Sequence, residues 1–215
     1  MEILIFCIPV LATYLLGSFP TSYLIAKYIK GIDIRSAGSG NAGATNVLRV
    51  VGKTPALITL VVDILKGVIA VAVIAPLTYP LLEDALRKDF YFGFLALAVI
   101  AGHIWPVFLK FKGGKGVATT LGVAIGALPM ALVPSLMVWL VFFLLTEYVS
   151  LASIMALLTF PISVVFIDYS FYTVIFSVII CSIGIYKHRS NIGRLLKGEE
   201  HKTIIFKKKS IKTSV

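Results

Sequence analysis

The sequence predicts an all-α polytopic membrane protein: about seven transmembrane helices, the N-terminus outside, the C-terminus cytoplasmic and glycine-rich loops on the cytoplasmic side. Three observations predict it. Mean hydropathy is +0.98, and of 215 residues 59% are hydrophobic and 14% charged, against about 25% charged in soluble domains. Apolar runs of spanning length recur along the chain. The basic residues gather in three segments that an odd number of crossings puts on one side.

The first run covers 3–26. It has no basic n-region, Glu2 is its only early charge, and no A-x-A pattern follows Ser18, Pro20, Thr21 and Ser22. It therefore reads as an uncleaved first helix rather than a signal peptide. Further runs cover 55–76, 90–110, 116–129, 131–146, 150–167 and 170–186. The run at 116–129 is short and rich in small residues, so it either dips into the bilayer or packs centrally. Five full spans with two partial ones is the alternative count. Gly122 and Gly126 give this run a small-xxx-small face suited to close helix packing. No polar segment is large enough for its own core. The chain reads as one transmembrane domain over 1–200 and a basic tail over 201–215.

Orientation follows from cations. Of the 20 Lys and Arg, all but Lys66, Arg87 and Lys88 fall in the 27–53 loop, in 110–115, or after residue 186. The 77–89 loop balances Arg87 and Lys88 with Glu83, Asp84 and Asp89. By the positive-inside rule the basic side is cytoplasmic. The net charge of +10 is thus topological, and Lys207, Lys208 and Lys209 read as a solvated tail near anionic lipid, not as a nucleic-acid surface. Cys7 and Cys181 sit in apolar runs and read as packing residues. No metal cluster or cofactor motif is visible, so no metal and no cofactor is expected.

Three patches interrupt the apolar chain. The first, residues 36–49, holds Gly38, Ser39, Gly40, Asn41, Thr45, Asn46 and Arg49. Glycines let backbone N–H groups approach an anion, and Arg49 is a bidentate phosphate clamp. Gly38, Gly40 and Gly43 match G-x-G-x-x-G, but the nucleotide motif needs a preceding strand and this segment lies between apolar helices. In the second patch, Trp105 suits the interface and Pro106 breaks the helix. Lys112, Gly113, Gly114, Lys115 and Gly116 then precede a helix start, a ready anion site. A P-loop fails twice: Leu109 stands where the first glycine belongs and Gly116 where Ser or Thr belongs. His103 is either a general base or a hydrogen-bonded residue that orients the loop. Lys115, between glycines, is the better anion ligand, with Lys112 nearer lipid headgroups. In the third patch His188, Asn191 and Leu195 share a helix face, while Lys187, Arg194 and Lys197 read as headgroup anchors. Asp63 and Lys66, three residues apart within a span, read as a structural or supporting ion pair. Ser153 either donates to a phosphate or packs a helix.

Ser36 through Arg49, Gly102 through Thr119, and Lys187 through Leu196 with Gly198 and Glu199 together resemble the bacterial membrane-integral acyl-phosphate:glycerol-3-phosphate acyltransferase family (PlsY). The resemblance spans essentially the whole chain in order and spacing. It implies transfer of a fatty acyl group from acyl-phosphate to the 1-hydroxyl of sn-glycerol-3-phosphate, giving lysophosphatidic acid and phosphate in phospholipid biosynthesis. The family is associated with seven transmembrane helices and a cytoplasmic active site in the bacterial inner membrane, and its donor is neither acyl-CoA nor acyl-carrier protein. The partners implied are the two substrates and membrane lipid, for a monomeric chain. On this reading Ser39, Arg49, Lys115, His188 and Asn191 position glycerol-3-phosphate and the reacting carbonyl. Gly113, Gly114, Gly116 and Ser153 hold the donor phosphate, and the base is His103, His188 or, preferred here, the donor phosphate itself. The alternative is a transporter of an organic phosphate anion, built from broken helices whose N-termini face the anion; no internal repeat supports it.

Overall fold

The computed structural model of the chain describes residues 2–82, 85–167 and 170–203. Glu83 and Asp84, and the part of the basic tail from 204 on with Lys207, Lys208 and Lys209, lie outside them. Every described element is helical. The first predicted run is two helices, α1 (Glu2–Ser18) and α2 (Thr21–Lys30). They meet at Phe19 and Pro20, where proline has no N–H to carry the helix on. Gly31, in the left-handed region, closes α2 by donating its N–H to Lys27. The first patch then folds as a loop into α3 (Ala44–Val50).

Helix α4 (Lys53–Ile69) continues through a π-helical turn at Ala70–Ile74 into α5 (Ala75–Thr78). After it come α6 (Lys88–Ile104), α7 (Val117–Ala127), α8 (Pro129–Thr146) and α9 (Val149–Ile167). The last pair is α10 (Phe171–Lys187) and α11 (Arg189–Leu196), bent by 54° at His188. Among the described residues five helices are long and apolar enough to cross a bilayer, or six if the bent pair counts as one. The expected seventh crossing at 116–129 is the one that differs. Helix α7 has 11 residues, or about 16 Å at 1.5 Å per residue, roughly half the ~30 Å hydrocarbon core.

That short helix is central. It packs along α4 by direct backbone approach. A Cβ on Gly67 would overlap the Thr119 carbonyl, and one on Gly122 would overlap the Ile64 carbonyl. Gly126 lies against Val71, so the small-residue face does what its spacing suggests. Glycines also join α1 to α6, where Gly17 meets Val99 and Gly102 meets Tyr14. Ala70, Val71, Val99, Ile100, Ile104 and Val123 fill the core between these pairs.

The two ends of the bundle differ. At one, Ser170 donates to Asp89 beneath a cluster of Phe6, Tyr91, Phe94 and Phe176. At the other, all three patches converge. Arg35 Nη1 donates to Leu109 O (2.8 Å), Arg49 Nη2 to His201 O (3.3 Å), and Thr203 N to Glu147 O (2.8 Å). Lys115 reaches Asn191 across the same end.

Candidate active site

The first patch is organised by one side chain. Asn46, buried at the start of α3, donates from Nδ2 to the carbonyls of Ile34, Ala37 and Asn41, each at 3.0 Å. Its Oδ1 accepts from Ser39 N (2.9 Å). An amide has two donors and one acceptor oxygen, so this group is spent on the loop. What it holds up is a rim of Ser39, Asn41, Thr45 and Arg49 facing a cavity. Gly38 and Gly40, expected as anion donors, lie outside that cavity; both have positive φ and serve the turn itself.

The second patch folds back onto the end of α6. Gly113 N donates to Ile104 O (3.2 Å) and Gly114 N to His103 O (3.1 Å). These two glycines therefore do not present the free N–H groups expected of them. They are glycines because the loop presses on α6: a Cβ on Gly113 would strike His103 O, and one on Gly114 would strike His103 Nε2. They border a small gap beside Asp63, Lys66 and His103 instead. Lys112 is exposed and away from the cavity, whereas Lys115 lines it. Gly116 then takes φ +86 to start α7, and with Val117 and Ala118 it borders the cavity. The N–H groups of a first helical turn have no intrahelical partner, so α7 offers the anion-binding end that Gly113 and Gly114 do not.

The third patch supplies a buried polar chain. Lys115 donates to Asn191 Oδ1. Asn191 Nδ2 donates to Glu200 Oε1 (2.6 Å), and Ser150 Oγ donates to the same oxygen (2.8 Å). Arg194 Nε donates to Glu200 Oε2 (2.7 Å). Burial acts to raise the Glu200 carboxyl, but hydrogen bonds from Asn191, Ser150 and Arg194 outweigh it and hold it below the usual range. Burial pushes the Lys115 ammonium down to about 8; Glu200 works against this, while Arg194 and Arg49 add to it. His188 places Nδ1 2.8 Å from Gly184 O. A carbonyl only accepts, which assigns the proton to Nδ1 and leaves Nε2 as an acceptor at the cavity wall.

His103 sits between the two systems. Its Nδ1 lies 3.7 Å from Asp63 Oδ1, an oxygen that accepts from Lys66 Nζ (2.7 Å). Lys66 in turn donates to Phe19 O (2.6 Å) at the break between α1 and α2. The ion pair thus ties α4 to the α1–α2 joint and braces His103. Ser153 lines the cavity with its hydroxyl donating to Val149 O (2.7 Å) and accepting from Trp139 Nε1 (3.3 Å). It packs α9 against α8 in this state.

The cavity these groups share measures about 610 Å³. At one end stand Ser39, Arg49, Lys115, His188, Asn191 and Glu200; from there it runs between α4, α7, α8 and α9 past Leu57, Leu121, Leu136, Trp139 and Phe160. One compartment thus changes from cationic and hydrogen-bonding to apolar along its length. Glu200 is the member that sequence reasoning missed. Its one signal is a carboxylate pair, Glu199-Glu200, amid cations, and nothing in the sequence says which of the two turns inward.

Residues 7–198 match the glycerol-3-phosphate acyltransferase family. A Desulforamulus reducens glycerol-3-phosphate acyltransferase is 44% identical over 193 residues, 90% of this chain and 92% of that protein. One from Prochlorococcus marinus is 45% identical over 195 residues, 90% of this chain and 95% of its own. Among solved structures, the glycerol 3-phosphate form of PlsY (YgiH), an integral membrane glycerol 3-phosphate acyltransferase, superposes with a TM-score of 0.82 at 40% identity. That match covers 93% of this chain and 96% of that one. Its lysophosphatidic acid form gives a TM-score of 0.80. The chain belongs to the glycerol-3-phosphate acyltransferase family.

Proposed function

We propose that this family member moves a fatty acyl group from an acyl-phosphate to the 1-hydroxyl of sn-glycerol-3-phosphate, releasing lysophosphatidic acid and inorganic phosphate at the cytoplasmic face of a bacterial inner membrane. The observation that carries the reading is the continuous cavity, cationic at one end and apolar at the other. An acyl-phosphate and a phosphorylated glycerol need both environments at once. The transporter alternative loses its ground to the family match over residues 7–198.

The donor is a mixed anhydride, already activated. The 1-hydroxyl oxygen attacks the acyl carbonyl carbon, the bond from that carbon to the phosphate oxygen breaks, and the ester forms. The hydroxyl proton leaves on an oxygen of the departing phosphate, so no covalent enzyme intermediate is required. Arg49, with Ser39 and Thr45 on the same rim, takes the phosphate of glycerol-3-phosphate. Lys115 and the first turn of α7 take the donor phosphate and its developing charge. His188 Nε2 accepts from the attacking hydroxyl and sets its direction, and Asn191 holds the Lys115 ammonium in place. His103, braced by Asp63, holds the 113–114 loop. Orientation of two bound reactants is worth about 7–11 kcal/mol, which suits a site rich in cations and poor in carboxylates.

Purified protein in lipid nanodiscs, supplied with glycerol-3-phosphate and either palmitoyl-phosphate, palmitoyl-CoA or palmitoyl-acyl-carrier protein, tests this. Lysophosphatidic acid, identified by mass spectrometry, is expected from palmitoyl-phosphate alone. Product from either thioester at a comparable rate would overturn the donor assignment, and no product from any donor would overturn the activity.

A further inference from the structure

We infer that Ala124, Leu132 and Phe160 form the end stop of the apolar groove and set the length of acyl chain this protein accepts. The inference rests on the acyltransferase reading above. On α4 the last lining residue is Asp63, and on the other three helices the cavity ends at a buried apolar side chain. Ala124 is its last lining residue on α7 and Phe160 its last on α9, while Leu132 is its farthest from the polar end on α8. All three are buried, and they belong to one packed cluster that continues through Val164 and Cys181. The groove therefore ends against solid protein at its far end.

Its depth follows from α9. Val149 lines the cavity at the polar end and Phe160 at the far end. Eleven residues at 1.5 Å each give about 16 Å. That is roughly half the ~30 Å hydrocarbon thickness of a bilayer, the reach of one leaflet's chain. The occupant whose polar head sits by Lys115 and whose tail lies along this wall is the acyl chain of the donor, and then of the product.

Phe160 on α9 and Ala124 on α7 close the stop with unequal bulk, so substitutions there push the limit opposite ways. Phe160→Ala removes the ring and opens the groove toward Val164. Ala124→Leu puts a branched side chain into its end. Damage to the fold, by contrast, slows every donor alike.

The experiment compares decanoyl-, palmitoyl- and arachidoyl-phosphate with the wild type and both variants in nanodiscs. It also records thermal stabilisation of the same proteins by lysophosphatidic acids of matching chain lengths. Ala124→Leu is expected to lower the palmitoyl-to-decanoyl ratio of kcat/KM about tenfold, and Phe160→Ala to raise the arachidoyl-to-palmitoyl ratio by about the same factor. Thermal stabilisation is expected to follow the same order. Unchanged ratios in both variants, or ratios moving the same way, overturn the end stop. If no protein turns over but stabilisation still shifts with chain length as stated, the end stop stands and the acyltransferase reading falls.

Discussion

Lys115 carries the clearest consequence at the scale of one residue. Its ammonium is pushed down to about 8, chiefly by burial. Below that pH it is protonated and, on the proposed mechanism, serves as an anion ligand; as pH rises through about 8 the charge is lost. Because kcat/KM reports the free enzyme, it should fall on the alkaline side with a midpoint near 8, and Lys115→Arg should move that limb upward. A profile that stays flat to pH 9.5, about 1.5 units past the midpoint, would remove Lys115 from the mechanism. Arg49 makes a separable prediction. Its one described partner is the His201 carbonyl at 3.3 Å, so its guanidinium is available to a phosphate. Charge-assisted hydrogen bonds are worth about 1.5–3 kcal/mol. Arg49→Ala should raise KM for glycerol-3-phosphate roughly 10- to 100-fold while leaving KM for the donor nearly unchanged, as steady-state kinetics would show. The sequence separated Lys115 from Lys112 because glycines flank Lys115 and let the backbone bring it inward. It did not reveal that Asn46, Gly113 and Gly114 spend their hydrogen bonds on the scaffold. Residue type gives the number of donors; only the fold says where they point.

At the scale of elements, the weight falls on α7 and on the segment after α11. The Gly122 approach to Ile64 leaves no room for a side chain against backbone. Gly122→Val should push α7 off α4 and cost several kcal/mol, beyond the ~1–3 kcal/mol of ordinary overpacking. Thermal unfolding in detergent would register this as a lowered midpoint, and an unchanged one would contradict the close packing. Glu200 fixes residues 198–203 over the polar end, with Thr203 N on Glu147 O reinforcing it. Glu200→Ala leaves Asn191 and Ser150 without their buried acceptor, for a loss of about 2–4 kcal/mol. Both Tm and kcat should fall; wild-type kcat with a lowered Tm would make Glu200 purely structural. The helices were legible as apolar runs, and Gly122 and Gly126 as a packing face. Two features were not. The Phe19–Pro20 joint lies inside a run that hydropathy reads as continuous, and the π-helical turn at 70–74 has no sequence mark in Ala-Val-Ala-Val-Ile. An apolar run also looks the same whether lipid or protein surrounds it, so the central placement of α7 was visible only in its shortness and its small residues, which left a dip into the bilayer equally open.

At the scale of the whole molecule, the described cations of the three patches and the polar end of the cavity lie at one end of the bundle. On the proposed mechanism the charge asymmetry seen in the sequence serves orientation and binding together: cations expected to hold a loop on one side of the bilayer also meet two phosphates there. On that mechanism glycerol-3-phosphate reaches the site from water and the donor's tail from the apolar side, and both meet between Arg49 and Lys115. That convergence was readable in outline from three donor-rich patches on one side. Its closing carboxylate, Glu200, and the single cavity joining the polar and apolar ends were not, because both depend on how distant segments pack. The most direct measurement is the initial rate of phosphate release from palmitoyl-phosphate by nanodisc-embedded protein, with and without glycerol-3-phosphate, for the wild type and Lys115→Ala. Release that depends on glycerol-3-phosphate, matches lysophosphatidic acid mole for mole, and drops at least about 100-fold in Lys115→Ala is the predicted result. Release indifferent to glycerol-3-phosphate, or equal in the two proteins, would contradict the account.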